Sequence, residues 1–147
     1  MSDAIRAHTD APADPVPEAP AVPVPNAGAG DLVPFDPLRR YLAEVRQHPY
    51  LDREEEHRLA IAFLERGDLD AASRLVLANL RLVVRLAFEY KKTPISVLDL
   101  IQEGNLGLMA AVKKFDPHRG IRLATYAAWW IKAYMLRYIM ANWKIVK

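Results

Sequence analysis

The sequence contains no cysteine, so a disulfide framework, a thiolate metal site and a cysteine nucleophile are all closed to it. Long apolar runs are missing too. No stretch joins a charged start to a continuous apolar segment, which speaks against a secretory leader and a membrane-spanning helix and makes the cytoplasm the expected compartment. No segment alternates at the period of a half-buried strand, so the expected class is all-α, and no internal repeat is visible. Acid is absent from one end: after Asp116 no Asp or Glu occurs up to Lys147.

Signs of catalysis are likewise lacking. The four histidines, His8, His48, His57 and His118, are scattered, and none stands with Asp or Glu at metal-ligand spacing. There is no glycine-rich loop to cradle a phosphate, and no serine can be matched to a base. The expectation is a protein that is not an enzyme and that uses neither metal nor cofactor.

What is present is enough for one domain. The chain has 147 residues, 52% of them hydrophobic, and a net charge of only +2. That charge is unevenly placed: residues 1–34 carry −4, whereas Lys113 to Lys147 carry +7. The basic end is suited to meeting phosphate. Residues 1–34 hold seven prolines and no aromatic residue, a composition that buries too little to offset the entropy of ordering, and they read as a disordered acidic tail. Two roles stay open for it, an extension with none of its own and a segment masking basic surface.

From Asp36 onward the pattern is helical. Asp36-Pro37 supplies a cap and a first-turn proline for a helix carrying Leu38, Leu42 and Val45 on one face and stopped by His48-Pro49. Asp52 and Glu55 have capping-box spacing, opening a second helix with Leu59, Ala60, Phe63 and Leu64 on its apolar face and Gly67 at its end. The third and longest helix is expected from about Leu69 to Lys91, with Ala72, Leu75, Val76, Leu80, Val83, Leu86 and Ala87 inward. Ser96 and Asp99 open a fourth, which buries Val97, Leu100, Ile101, Leu108, Ala111 and Val112. Asp116-Pro117 and Gly120 interrupt the chain, and a fifth helix is expected from near Thr125 to about Ala141. The fold expected is a compact bundle of about five helices over residues 35–147.

Two of these helices carry more than a core needs. The fifth is apolar nearly all round, with Tyr126, Trp129, Trp130, Tyr134 and Tyr138, and at 3.6 residues per turn Tyr126, Trp130, Ala133, Tyr134 and Arg137 share a face flanked by Lys132. Rings and cations without acid suit a single-stranded nucleic acid, whose bases stack on aromatic side chains. Aromatic residues at helical spacing are more often what a buried core uses, and the pattern alone leaves both readings open. In the fourth helix Gly104 and Gly107 each cost about 1 kcal/mol against alanine, which close approach of another backbone would explain. Beside them Asp99, Gln102, Glu103 and Asn105 form a polar face fit for arginines of a partner, or for water.

At these residues a family resemblance becomes visible. The run Asp99-Leu100-Ile101-Gln102-Glu103-Gly104-Asn105-Leu106-Gly107-Leu108-Met109 resembles the signature of the second conserved region of bacterial sigma factors of the primary and heat-shock class. Ala78-Asn79-Leu80-Arg81-Leu82-Val83 before it, and Lys114-Phe115-Asp116, Arg119-Gly120, Thr125-Tyr126-Ala127 and Trp129-Trp130-Ile131-Lys132 after it, resemble the flanking segments of that region. Tyr41-Leu42 and Arg53-Glu54-Glu55-Glu56 resemble the last part of the preceding region. The likeness spans Asp36 to Lys147, and Asn142-Trp143-Lys144-Ile145-Val146-Lys147 is most similar to heat-shock members.

The resemblance implies a domain that binds core RNA polymerase and recognises and melts the minus-ten promoter element. It implies that Asp99, Gln102, Glu103, Asn105 and Met109 bind a coiled coil of the largest polymerase subunit. It further implies that Arg122, Thr125, Tyr126, Trp129, Trp130, Lys132 and Arg137 bind promoter DNA, chiefly the single-stranded non-template strand. An anti-sigma factor is a further partner such factors have, and association with the nucleoid would come through the polymerase. Ile121 and Leu123 stand where primary members have aromatic residues, and Ala133 where they have a glutamine that reads duplex DNA, so a different promoter preference is expected. The later domains of the family are expected to be absent from this chain. Two other functions remain in view: a truncated protein that occupies the sigma site without directing initiation, and a free-standing single-strand binder.

Overall fold

The computed structural model describes residues 36–143, and the tail expected over residues 1–34 lies outside them. Among the described residues there are helices and turns and no strand: α1 (Pro37–Val45), α2 (Arg53–Arg66), α3 (Leu69–Ala78), α4 (Leu80–Phe88), α5 (Val97–Lys114), a short 3-10 turn (Pro117–Arg119) and α6 (Leu123–Asn142). The all-α class expected from the absence of strand patterning is thus what the chain adopts.

The caps form largely as the sequence suggests. Asp36 accepts from the backbone N–H groups of Leu38 and Arg39, Asp52 from Glu55 at 2.7 Å, and Ser96 from Asp99 at 3.4 Å. Glu55 does not complete the reciprocal half of a capping box. Its carboxylate instead accepts from Arg58 and Arg74, and the Arg58 hydrogen bond is the main reason its pKa lies below the usual carboxylate value. Gly67 ends α2 in the left-handed region, φ 63°, where a side chain would be strained.

The long third helix expected from the apolar periodicity is divided. At Asn79 the backbone leaves helical geometry (φ −113°, ψ 8°), and the side-chain amide donates back to the Leu75 carbonyl at 2.8 Å. An asparagine able to bond its own preceding turn competes with the helical ladder, so α3 and α4 form from one hydrophobic stripe. α4 stops at Phe88 and a turn carries the chain through Lys91. Leu64, expected on the apolar face of α2, is exposed, and Ala62 is buried instead. The last helix begins two residues earlier than expected, at Leu123.

α5 and α6 make the most extensive pairing; α4 packs on both, α3 on α5, α2 on α3 and α1 on α4. Leu100, Ile101 and Leu108 of α5 meet Leu123, Ile131 and Met135 of α6 in the fully buried centre, with Leu75 and Val83 from the divided helix. Each such side chain contributes about 1.5–3 kcal/mol by leaving water. Gly107 permits the close approach anticipated from its presence in a helix. A Cβ there would stand 2.7 Å from the Trp130 carbonyl oxygen and 3.0 Å from the Ile131 Cα. Gly104 faces side chains rather than backbone, namely Met135 and Val83.

Candidate nucleic-acid interface

The core of α6 is the line Leu123, Ala127, Ile131, Met135 and Ile139, all buried. This line fixes where every other side chain of the helix points. Tyr126, Trp130, Tyr134 and Tyr138 flank it, half-buried, while Thr125, Trp129, Lys132, Ala133 and Arg137 face outward. The two open readings of the aromatics are therefore divided between residues. Tyr126 and Trp130 pack against the core, and Trp129 is 78% exposed.

Ring contacts run along one edge of α6. Phe115 and Tyr126 have centroids 5.8 Å apart, and Tyr126 meets Trp130 edge-on at 6.3 Å. The Lys114 ammonium lies 5.8 Å from the Trp130 centroid, and the Arg137 guanidinium 4.7 Å from that of Tyr134, both within cation–π range. Beside Tyr126 a cavity of about 220 Å³ is lined by Lys114, Phe115, Asp116, Arg119 and Ile121. Its lining joins the rings of Phe115 and Tyr126 to Lys114 and to an Arg119–Asp116 ion pair at 3.6 Å, so it offers both a stacking surface and hydrogen-bonding groups of the kind that receive a base taken out of its stack.

Arg122 is placed differently from its neighbours in the basic run. Its Nε donates to Glu56 Oε2 at 3.1 Å, and its Nη2 donates to Glu56 Oε1 at 3.2 Å and to the Leu51 carbonyl at 3.0 Å. Glu56 is 5% exposed and also accepts the Leu123 backbone N–H at 3.0 Å. The start of α6, which has no side-chain cap of its own, is capped from α2. A second cavity, about 430 Å³, lies behind this pair between Tyr50, Asn79, Arg81, Arg85 and Arg122. Neither cavity nor the Glu56 anchor was singled out by sequence reasoning, because their parts lie far apart in the chain.

On α5 the expected polar face is real but not uniform. Asp99, Gln102 and Met109 are exposed and Glu103 half-exposed, with exposed Leu106 among them. Asn105 turns toward α1, where its Nδ2 donates to the Tyr41 hydroxyl at 3.1 Å and its buried Oδ1 has no partner. Among the described residues no cluster of three or more His, Cys, Asp or Glu could hold a metal, and no helix is long and apolar enough to cross a membrane.

Comparison with known proteins adds an independent result. Residues 75–145 match the family model described as sigma-70 region 2, and residues 36–69 match that of sigma-70 factor, region 1.2. The chain is 51% identical over 110 residues to RNA polymerase sigma factor RpoH of Rhizobium radiobacter, covering 75% of this chain and 37% of that protein. It is 54% identical over 110 residues to RpoH of Zymomonas mobilis, covering 75% and 36%. With RNA polymerase sigma-C factor of Myxococcus xanthus it shares 51% over 112 residues, covering 76% and 38%. The chain thus spans a little over a third of the length of these curated relatives.

Proposed function

The chain belongs to the sigma-70 family, and from that membership we propose that it binds core RNA polymerase in the cytoplasm and captures and opens the minus-ten promoter element. In this reading α5 presents Asp99, Gln102, Glu103, Leu106 and Met109 to a helical coiled coil of the polymerase. Asn105 serves from behind, holding α1 through Tyr41. α6 meets the non-template strand with Trp129 and Thr125 outward, Tyr126 and Trp130 as half-buried stacking edges, and Lys132 and Arg137 toward phosphate. Arg122 supports the DNA face through Glu56.

The observation that carries the proposal is the combination of a largely exposed tryptophan on α6, a ladder of ring contacts ending in a cavity lined by aromatic and charged side chains, and the absence of acid from the helix. Stacking contributes about 1–3 kcal/mol per base and unstacking costs a few, so opening a short segment needs no nucleotide hydrolysis. The test is gel filtration with core polymerase followed by binding of a fork-junction promoter DNA. Co-elution that Gln102→Ala with Glu103→Ala abolishes, and DNA capture that Trp129→Ala weakens, are expected. A folded chain that does not co-elute, or that binds the DNA equally with and without polymerase, overturns the proposal.

A further inference from the structure

α2 and the 3-10 turn ahead of α6 meet in a contact that the promoter reading does not use. Arg53, at the start of α2, donates to the Gly120 carbonyl at 2.8 Å. One helical turn further on, His57 faces His118 of the 3-10 turn, with ring centroids 6.4 Å apart and ring planes at 80°. Both histidines are exposed, and this contact is the only interaction either imidazole makes among the described residues. The pairing is invisible in the sequence because the two rings come from separate elements. His57 also lines a cavity of about 320 Å³ with Glu54, Phe115 and Ile121.

Imidazole is the commonest metal ligand among side chains. Two of them converging without other partners suit a late transition-metal ion rather than magnesium or calcium, which take oxygen. An ion held at about 2.0–2.1 Å by one nitrogen of each ring would stand about 3.2 Å from each ring centre, so a tetrahedral angle asks for centroids about 5 Å apart. Closing the observed separation by about 1 Å is a matter of side-chain rotation, which exposed rings have free. Charge does not oppose the ion. Arg122 is paired with Glu56 and Arg119 with Asp116, while Glu54, on the same cavity wall as Arg53, offsets that guanidinium.

We propose that His57 and His118 form a site for a late transition-metal ion of the zinc, nickel or copper class, which ties α2 to the turn ahead of α6. Two protein ligands are fewer than the three or four of a catalytic or structural zinc site, so water completes the shell and the ion exchanges readily. Phe115 and Ile121 wall both this cavity and the one beside Tyr126, and the bound ion braces that shared wall from behind. The test is isothermal titration of the untagged full chain with zinc chloride, with electron paramagnetic resonance of the chain loaded with Cu2+ to identify the ligating nitrogens. Expected are one ion per chain, a pair of imidazole nitrogens in the copper spectrum, and a melting temperature that rises on adding zinc. His57→Ala and His118→Ala, both at exposed positions, should each weaken zinc binding by about a hundredfold or more, since even a residue behind a ligand is worth about ten- to a hundredfold. Their melting without metal should match the parent, and His48→Ala should bind zinc as the parent does. Absence of zinc binding at millimolar concentration, or binding that does not need both His57 and His118, overturns the inference. Binding lost instead in His8→Ala or His48→Ala would assign the ion elsewhere on the chain and also overturn it.

Discussion

The carboxylate of Glu56 accepts the backbone N–H of Leu123 at 3.0 Å although the two residues are 67 positions apart. A helix start normally draws its cap from the residue just before it. Here that residue, Arg122, is bound to the same carboxylate. The first turn of α6, with Thr125 and Tyr126, is therefore placed by α2, and the segment matching region 1.2 sets the position of the segment matching region 2.

Replacing Glu56 should expose this dependence. Glu56→Ala leaves the Leu123 N–H without its acceptor and the Arg122 guanidinium without its counter-ion. A stability loss of about 2–3 kcal/mol is expected, at the lower end for a broken buried pair because Arg122 is partly exposed. Glu56→Gln keeps an oxygen for Leu123 and should cost about half as much. Urea unfolding of the two variants gives the comparison directly, as midpoint shifts at unchanged slope.

The two glycines of α5 should separate in the same assay. Alanine at Gly107 meets the Trp130 carbonyl and the Ile131 Cα, which are backbone atoms and cannot rotate away. Alanine at Gly104 meets the end of Met135 and a methyl of Val83, and a methionine can change rotamer. Gly107→Ala is expected to destabilise by about 1–3 kcal/mol through overpacking and to displace α6. Gly104→Ala should cost clearly less: both substitutions regain about 1 kcal/mol of helix propensity, but only at Gly104 are the atoms met those of side chains that can shift. Similar losses for both would show that the helices separate as readily at one site as at the other.

These contrasts also show what the sequence could and could not disclose. Caps at Asp36, Asp52 and Ser96 were legible because their partners lie two or three residues away. The inward face of α5 followed from periodicity. The break at Asn79 was not legible, since the apolar stripe runs straight through it and only the side-chain bond to Leu75 interrupts the ladder. Arg122 looked like one more cation in a basic run because Glu56 is 66 positions away. For Trp129 and Trp130, adjacency in an all-round apolar helix gave no means of telling which faces solvent.

Asn105 and Tyr41 offer a smaller test of the same kind. Their side chains are joined at 3.1 Å across 64 positions, tying α1 to the helix that bears the polar face. Tyr41→Phe removes one hydrogen bond, an expected loss of about 0.5–1.5 kcal/mol, whereas Gln102→Ala, on the exposed side, should leave thermal stability within about 0.5 kcal/mol of the parent. Differential scanning calorimetry of the two variants distinguishes a residue that holds the fold from one free to meet a partner.

The adjacent tryptophans should part company most clearly. Trp129 is 78% exposed, so truncating it removes little from the core, and Trp129→Ala should unfold within about 0.5 kcal/mol of the parent. On the proposed role it nevertheless loses about five- to a hundredfold in capture of fork-junction DNA by the polymerase complex, the range set by one lost base stack. Trp130 touches Tyr126 edge-on and packs on the core. Trp130→Ala should therefore lose about 1–3 kcal/mol of stability, less than the 3–5 of a fully buried tryptophan, and its DNA defect should be partly recovered by Trp130→Phe, which restores a ring to the edge. Thermal melts paired with DNA titrations of the three variants decide the matter. A Trp129→Ala protein that melts early and binds DNA normally would mean that the tryptophan serves the fold, and the outward face of α6 would lose its assigned role.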